Sequence, residues 1–286
     1  MNHVFLVGSL ARDPEITYTS QGVAILNLTV AGEDTVIGTE GTPKSLPWYH
    51  RVSVLGKPAE AMIEQINAGS LRAGTAVMVV GSLDYRTWED QGQKRSMVNV
   101  KASRVDVINR SEGDLVQDSG GGFRLTGGLN QVVLVGNLGR EVEFRNLPSG
   151  DRVASFSIAI SESWMDRTNT RQEKTHWIEL TLWREHANFA ESLKKGDGVM
   201  VTGRLRNESW TDREGQKRNS LKVEATHVEA LTRGPAPAQS LVGTAPQTSR
   251  QAYGTGASTK GSHSRGLDID EGLSQNLPPE EDDLPF

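Results

Sequence analysis

Cysteine is absent from the 286-residue chain. That excludes disulfides, thiolate nucleophiles and cysteine-based zinc or iron–sulfur sites, and it fits a reducing cytoplasm. Long apolar runs are missing as well. None approaches the roughly 20 residues of a membrane helix, so no membrane association is expected. The opening MNHVFLVGSLARDPE has no basic n-region and breaks early at Arg12, Asp13 and Pro14, so it does not read as a signal peptide. The six histidines (His3, His50, His176, His186, His227 and His263) show no HExxH and no clear metal spacing. P-loop, nucleophile elbow and paired-carboxylate motifs are missing too. The expectation is a non-enzyme with no cofactor and no metal, in which His50 and His176 are surface or hydrogen-bonding residues. Aromatics are sparse, with six Trp, four Tyr and six Phe, so the face on which each one falls carries weight.

Net charge is −5, but it is not uniform. Residues 1–110 carry 11 Lys/Arg and 11 Asp/Glu, residues 128–233 carry 16 and 15, and residues 234–286 carry 3 and 7. The acidity belongs mainly to the tail, so the overall value says little about what the folded parts bind.

The chain repeats itself. Asn2–Arg12 (NHVFLVGSLAR) returns as Asn130–Arg140 (NQVVLVGNLGR), and Leu71–Leu83 (LRAGTAVMVVGSL) returns as Leu193–Leu205 (LKKGDGVMVTGRL). Val23–Ala31 answers Val153–Ser161, and Tyr49–Lys57 answers Trp177–Glu185. The period is that of a whole small domain, far longer than a solenoid repeat. Each copy reads as two apolar strands, a polar turn-rich loop (Gly32–Pro47 or Ser163–Thr175), a third strand, one helix, and two strands joined by a hairpin. In the first copy Pro58 opens the helix, Ala59, Met62, Ile63 and Ile66 form its apolar face, and Gly69 ends it. In the second the helix is expected over Glu185–Lys195, with Ala187, Ala190 and Phe189 or Leu193 inward. Five strands with a helix between the third and fourth is the order of an OB fold, a small barrel that binds oligonucleotides and oligosaccharides. The expected fold is all-β with one short helix per domain: an N-terminal OB domain over 1–110, a connector over 111–128 and a C-terminal OB domain over 129–233.

Parity then sorts the aromatics, because side chains i, i+2 and i+4 of a strand share a face. In the third strand of the second copy Ile178, Leu180 and Leu182 point one way, and Trp177, Glu179, Thr181 and Trp183 the other. In the first copy Tyr49, Arg51, Ser53 and Leu55 take the outward places, while Trp48 falls with the apolar set and reads as packing. The hairpins Gly81–Arg95 and Gly203–Arg218 each pass a tryptophan, Trp88 or Trp210, and end in Gly-Gln-Lys-Arg. Trp164 adds a loop aromatic that the first copy lacks. Outward aromatics beside cations suit stacking on unpaired bases while the cations meet phosphates. Candidate phosphate contacts are Arg51, Lys57, Arg86, Lys94 and Arg95, then Arg145, Arg204, Arg206, Lys217 and Arg218. The alternatives are an OB-domain protein-interaction scaffold, with the aromatics as hot spots, and single-stranded RNA binding, since stacking does not see the 2′-hydroxyl.

The connector holds a flexible Ser-Gly-Gly-Gly run, with Phe123 and Leu125 able to dock locally. Residues 234–279 are rich in Gly, Pro, Ser, Thr, Ala and Gln and read as disordered. The chain ends in Glu280-Glu281-Asp282-Asp283-Leu284-Pro285-Phe286, an acidic run closed by an apolar tip and a free carboxylate. That pattern suits docking into an apolar pocket with a basic rim.

These residues resemble the bacterial single-stranded DNA-binding proteins. The likeness rests on NQVVLVGNLGR, Ser161–Trp164 (SESW), the Trp177 strand, LKKG before the fourth strand, GRL followed by SWTDREGQKR, His50–Glu60 (HRVSVLGKPAE), and the terminal DDLPF. It covers both repeats and the tail tip. Two domains per chain resemble the variant of the Deinococcus–Thermus group, which implies a homodimer with four OB domains and DNA wrapped around it. The resemblance implies stacking by Trp164, Trp177, Trp183 and Trp210 in the second domain and by Tyr49 and Trp88 in the first, where Leu55 departs from the pattern. It further implies a nucleoid-associated cytoplasmic protein whose tip, Asp282, Asp283, Leu284, Pro285 and Phe286, binds replication, recombination and repair proteins.

Overall fold

Period-two alternation of Val, Ile and Leu with polar side chains builds half-buried strands, and strands dominate the structure. It is a computed structural model and describes residues 1–37, 41–90, 93–111, 113–165, 169–211, 215 and 217–231. The first repeat runs β1 (Asn2–Leu10), β2 (Glu15–Tyr18), β3 (Ala24–Ile37), β4 (Pro43–Leu55), α1 (Lys57–Asn67), β5 (Ala76–Asp90) and β6 (Gln93–Val107). The connector adds β7 (Leu115–Gln117) and β8 (Phe123–Leu125). The second repeat runs β9 (Leu129–Leu138), β10 (Glu143–Asn146), β11 (Arg152–Met165), β12 (Arg171–Trp183), a 3₁₀ helix (Arg184–Ala190), β13 (Gly198–Thr211) and β14 (Lys217–Ala230).

Each repeat closes on itself. In the first, β1 pairs β3, β3 pairs β4, β4 pairs β6 in parallel, β6 pairs β5, and β5 returns to β1. The second repeats this through β9, β11, β12, β14 and β13. Closure pairs the strand edges that an open sheet would leave free. The inward parity set fills each barrel: Leu6, Leu26, Val52, Val54 and Leu83 in one, Phe156, Ile178, Leu180, Leu182 and Leu205 in the other, all buried. A register shift falls at the same place in both, before Gly81 and before Gly203. A Cβ at Gly81 would lie 2.4 Å from the Lys101 carbonyl oxygen, and one at Gly203 would lie 2.3 Å from that of Glu224, so this bulge requires glycine.

The helices differ between repeats. α1 carries Pro58 in its first turn, buries Ala59 and Met62, and is followed by Gly69 at φ 71°. The α-helix expected over Glu185–Lys195 is instead a seven-residue 3₁₀ helix, Arg184–Ala190. At three residues per turn Ala187, Ala190 and Leu193 share the buried side. Phe189 therefore falls outside it and is 46% exposed, not inward. The two expected loops also differ from expectation. β3–β4 stay paired out to Ile37–Pro43, and β11–β12 out to Met165–Arg171, so most of each loop is a two-stranded arm.

The two repeats form one compact unit, joined through β1 and β9. Val4 pairs Val132 and Asn2 pairs Leu134, while Leu6 pairs Asn130. Residues at equivalent repeat positions thus exchange places about a local two-fold. His50 and His176 are not surface residues. They are 1% and 3% exposed, and both bond across the repeats: His50 Nε2 lies 3.3 Å from Asn130 Nδ2, and His176 Nδ1 accepts the Tyr85 N–H at 3.0 Å. They lie within β4 and β12, on the buried side shared with Val52 and Ile178, and not at strand starts. The expected disordered segment 234–279 and the tip 280–286 lie outside the described residues. Among the described residues no helix is long and apolar enough to cross a membrane.

Candidate nucleic-acid interface

β12 presents the aromatic face of the second barrel. Its inward residues Ile178, Leu180 and Leu182 are pinned in the core, which fixes Trp177, Glu179, Thr181 and Trp183 on the outside. Trp177 is 42% and Trp183 38% exposed, far more than a core tryptophan. The Trp177 indole lies across Gly139, where a Cβ would come within 2.3 Å of the ring, so the absence of that atom sets its pose. Trp164, on the β11 arm, is 45% exposed.

Beside this face lies a pocket of about 390 Å³ lined by Arg145, Glu208, Ser209 and Lys222. β14 runs parallel to β12 with Leu180 opposite Val223, which brings Lys222 to Glu179. The Lys222 ammonium lies 2.8 Å from Glu208 and 3.3 Å from Glu179. Burial works to lower its pKa, but the hydrogen bonds and charges of the two carboxylates outweigh it and hold the group above its ordinary value. Arg206 pairs with Glu224 at 3.2 Å, and Arg204 reaches both Glu224 and, at 3.5 Å, Asp34 of the first repeat. Arg145 is exposed. Lys222 was missing from the sequence candidates, although its parity, opposite to Leu221 and Val223, places it on the outer face.

The first barrel differs. Lys57 and Arg51 are exposed, and Trp88 is partly buried on the β5 arm with Arg95 opposite. Arg86 is held 2.7 Å from Asp84. Asp84 also binds Lys174 of the second repeat at 2.6 Å. Burial raises its pKa, but the hydrogen bonds from Lys174 and Arg86 prevail and keep the carboxyl below its ordinary value. Trp48 is 5% exposed and stacks on His50 at 5.2 Å. Tyr49, the counterpart of Trp177, is partly covered: its hydroxyl donates to Asp118 of the connector, and burial raises its pKa. The side chains of Lys94, Trp210, Lys217 and Arg218 lie outside the described part. The structure therefore sets Trp177 and Trp183 on the outer face of β12, with Glu179 between them bound to Lys222 of the groove that Arg145 also lines, and leaves Arg86, Arg204 and Arg206 tied to carboxylates. Among the described residues no group of three His, Asp or Glu side chains is placed to hold a metal.

Comparison with known proteins agrees with this architecture. The profile of the Single-strand binding protein family matches residues 1–108 and again 129–231. The chain is 51% identical to the single-stranded DNA-binding protein of Deinococcus radiodurans, over 100% of this chain and 99% of that one. It is 41% identical to the protein of that name from Thermus aquaticus, over 100% and 98%. The crystal structure of the wild-type Thermus aquaticus single-stranded DNA binding protein superposes with a TM-score of 0.63 at 38% identity, covering 83% of this chain and 96% of that one. Two profile matches, two closed barrels in the same element order and full-length relatives converge: the chain is a member of the Single-strand binding protein family, in its form with two barrels per chain.

Proposed function

We propose that the protein binds single-stranded DNA with little sequence preference and performs no chemistry on it. The observation that carries this is the outer face of β12, where two tryptophans stand 42% and 38% exposed on a rigid strand beside a groove edged by Arg145 and Lys222. Every base has a π-face, so such a platform accepts any sequence, and each stacked base contributes about 1–3 kcal/mol. The cations supply the phosphate contacts, and affinity falls with salt in proportion to the phosphates neutralised. The full-length relatives named single-stranded DNA-binding protein support the same reading.

The finer assignments are part of the proposal. The stacking set is Trp164, Trp177, Trp183 and Trp210, with Trp88 and Tyr49 in the first barrel, Tyr49 only once its bond to Asp118 is broken. The phosphate track comprises Arg51, Lys57, Lys94, Arg95, Arg145, Lys217 and Arg218, with Arg86, Arg204 and Arg206 reached only by exchanging a carboxylate for a phosphate. Two chains form a homodimer, so one unit offers four barrels. Residues 280–286 recruit proteins of replication, recombination and repair. The test is fluorescence anisotropy with labelled oligo-dT, competed by duplex DNA and by oligo-rU. Preferential, salt-sensitive binding of oligo-dT is expected. Equal competition by oligo-rU would move the protein to general single-strand binding, and no binding to either would favour a protein-interaction scaffold. Removal of residues 280–286 is expected to leave DNA affinity equal or higher while abolishing capture of partner proteins. A large loss of DNA affinity would count against that role.

A further inference from the structure

The connector does more than join the barrels. Its hairpin adds to the first barrel: β8 pairs in parallel with β3 at Gly32–Leu125, and the Phe123 N–H donates to the Ala11 carbonyl at 3.0 Å. Leu125 is buried, and Leu115 and Phe123 pack over Gly74. Asp118 and Arg124 then reach the outer face. Arg124 grips Asp118 and lies 2.5 Å from Glu33, and Asp118 accepts from the Tyr49 hydroxyl. Arg124, Asp118 and Glu33 are only 18%, 22% and 12% exposed, so the cluster is well shielded from water.

The second barrel shows what this covers. Tyr49 answers Trp177, and Ala11 answers Gly139. In the second barrel the indole lies open over Gly139; in the first, the hairpin backbone sits at Ala11 and its Asp118 carboxylate holds the Tyr49 hydroxyl. The connector residues 111–127 carry Glu112, Asp114 and Asp118 against Arg124 alone, a balance of −2 (one cation minus three anions). A phosphate approaching Tyr49 meets like charge from Asp118 and Glu33.

We propose that the connector hairpin occupies the aromatic subsite of the first barrel, so that a single strand reaches Tyr49 only by displacing Asp118. The strand then engages the open second barrel first and Tyr49 last. This rests on the single-stranded DNA reading above.

The test uses the full chain, with tryptic cleavage after Arg124 read by mass spectrometry, with and without saturating oligo-dT, in the wild type, Tyr49→Phe, Asp118→Asn and the double variant. Cleavage is expected to be slow in the free wild type and faster with oligo-dT. It is expected to rise in either single variant, more in Asp118→Asn because that change also removes the pair with Arg124, with no further increase in the double. Asp118→Asn is expected to bind oligo-dT roughly three- to tenfold tighter, the net size of one typical intramolecular hydrogen bond. If oligo-dT quenches tryptophan fluorescence yet leaves Arg124 as protected as before, or if Asp118→Asn leaves affinity unchanged, the hairpin is a fixed structural part and the proposal is overturned. Absence of any quenching would instead overturn the DNA-binding reading itself.

Discussion

At the residue scale the same strand position carries different chemistry in the two barrels. Trp177 and Trp183 are exposed on a strand whose other face is locked in the core, so the proposed stacking would cost their rings little ordering. Trp177→Ala and Trp183→Ala are each expected to weaken oligo-dT binding by about 1–3 kcal/mol, roughly 5- to 150-fold, with little effect on folding. Affinities within twofold of wild type in titrations would contradict their role. His50 makes a prediction about stability. Burial holds its imidazole neutral, with its pKa lowered to about 3 from the ordinary 6.5. The unfolded chain takes up a proton near pH 6.5 and the folded chain does not. Its contribution is therefore complete above about pH 6.5 and is lost as pH falls toward 3, at up to about 1.4 kcal/mol per pH unit. Urea unfolding is expected to show a falling midpoint between pH 6.5 and 4, and a shallower fall in His50→Leu. Identical slopes would show that other groups carry the acid sensitivity.

At the element scale the groove of the second barrel is made by three strands, and its charge is set by their pairing. Lys222 on β14 already holds Glu179 on β12 and Glu208 on β13. A phosphate must displace a carboxylate to reach it, so fewer counterions are released than the number of cations suggests. Glu208→Gln is expected to leave the ammonium with Glu179 as its one remaining carboxylate, to ease its exchange onto a phosphate and to tighten binding. It should also steepen the dependence of log affinity on log salt by about 0.7, the value for one further phosphate on a single strand. An unchanged slope would mean that Lys222 does not meet the backbone of the strand. Elements were legible in the sequence to different degrees. The third strand announced itself, because Ile178, Leu180 and Leu182 alternate with Trp177, Glu179 and Trp183. α1 did so through Pro58, Ala59 and Met62. The 3₁₀ helix did not, since Ala187, Ala190 and Leu193 fit a tight three-residue winding as well as an α-helix over so few residues. The arms were read as loops because Gly32–Pro47 and Ser163–Thr175 are polar, yet β3–β4 and β11–β12 continue their pairing through backbone hydrogen bonds that need no apolar side chain.

At the scale of the whole molecule, duplication supplies two barrels and the β1–β9 pairing fuses them. The repeat was plain in the sequence, from Asn2–Arg12 against Asn130–Arg140 onward. What the barrels do to one another was not. His176 bonds Tyr85, Lys174 binds Asp84, and Arg204 reaches Asp34, contacts that alternation along one strand cannot reveal because it gives a face and never a partner. The cover over Tyr49 escaped for the same reason: Asp118 and Arg124 lie in a polar stretch whose docking depends on Leu115, Phe123 and Leu125 finding the first barrel. Breaking the inter-repeat network is expected to destabilise the fused unit. Lys174→Ala leaves the buried Asp84 with Arg86 and the nearby His176 imidazole, and should lower the melting temperature by a few degrees. No change would place the junction's strength wholly in β1–β9. In the proposed function, exposed tryptophans on these barrels stack on unpaired bases. The measurement that meets it most directly is intrinsic tryptophan fluorescence during titration with poly-dT at low and high salt. Strong, saturable quenching that needs more DNA at high salt is the expected result; fluorescence unmoved by poly-dT at either salt would contradict it.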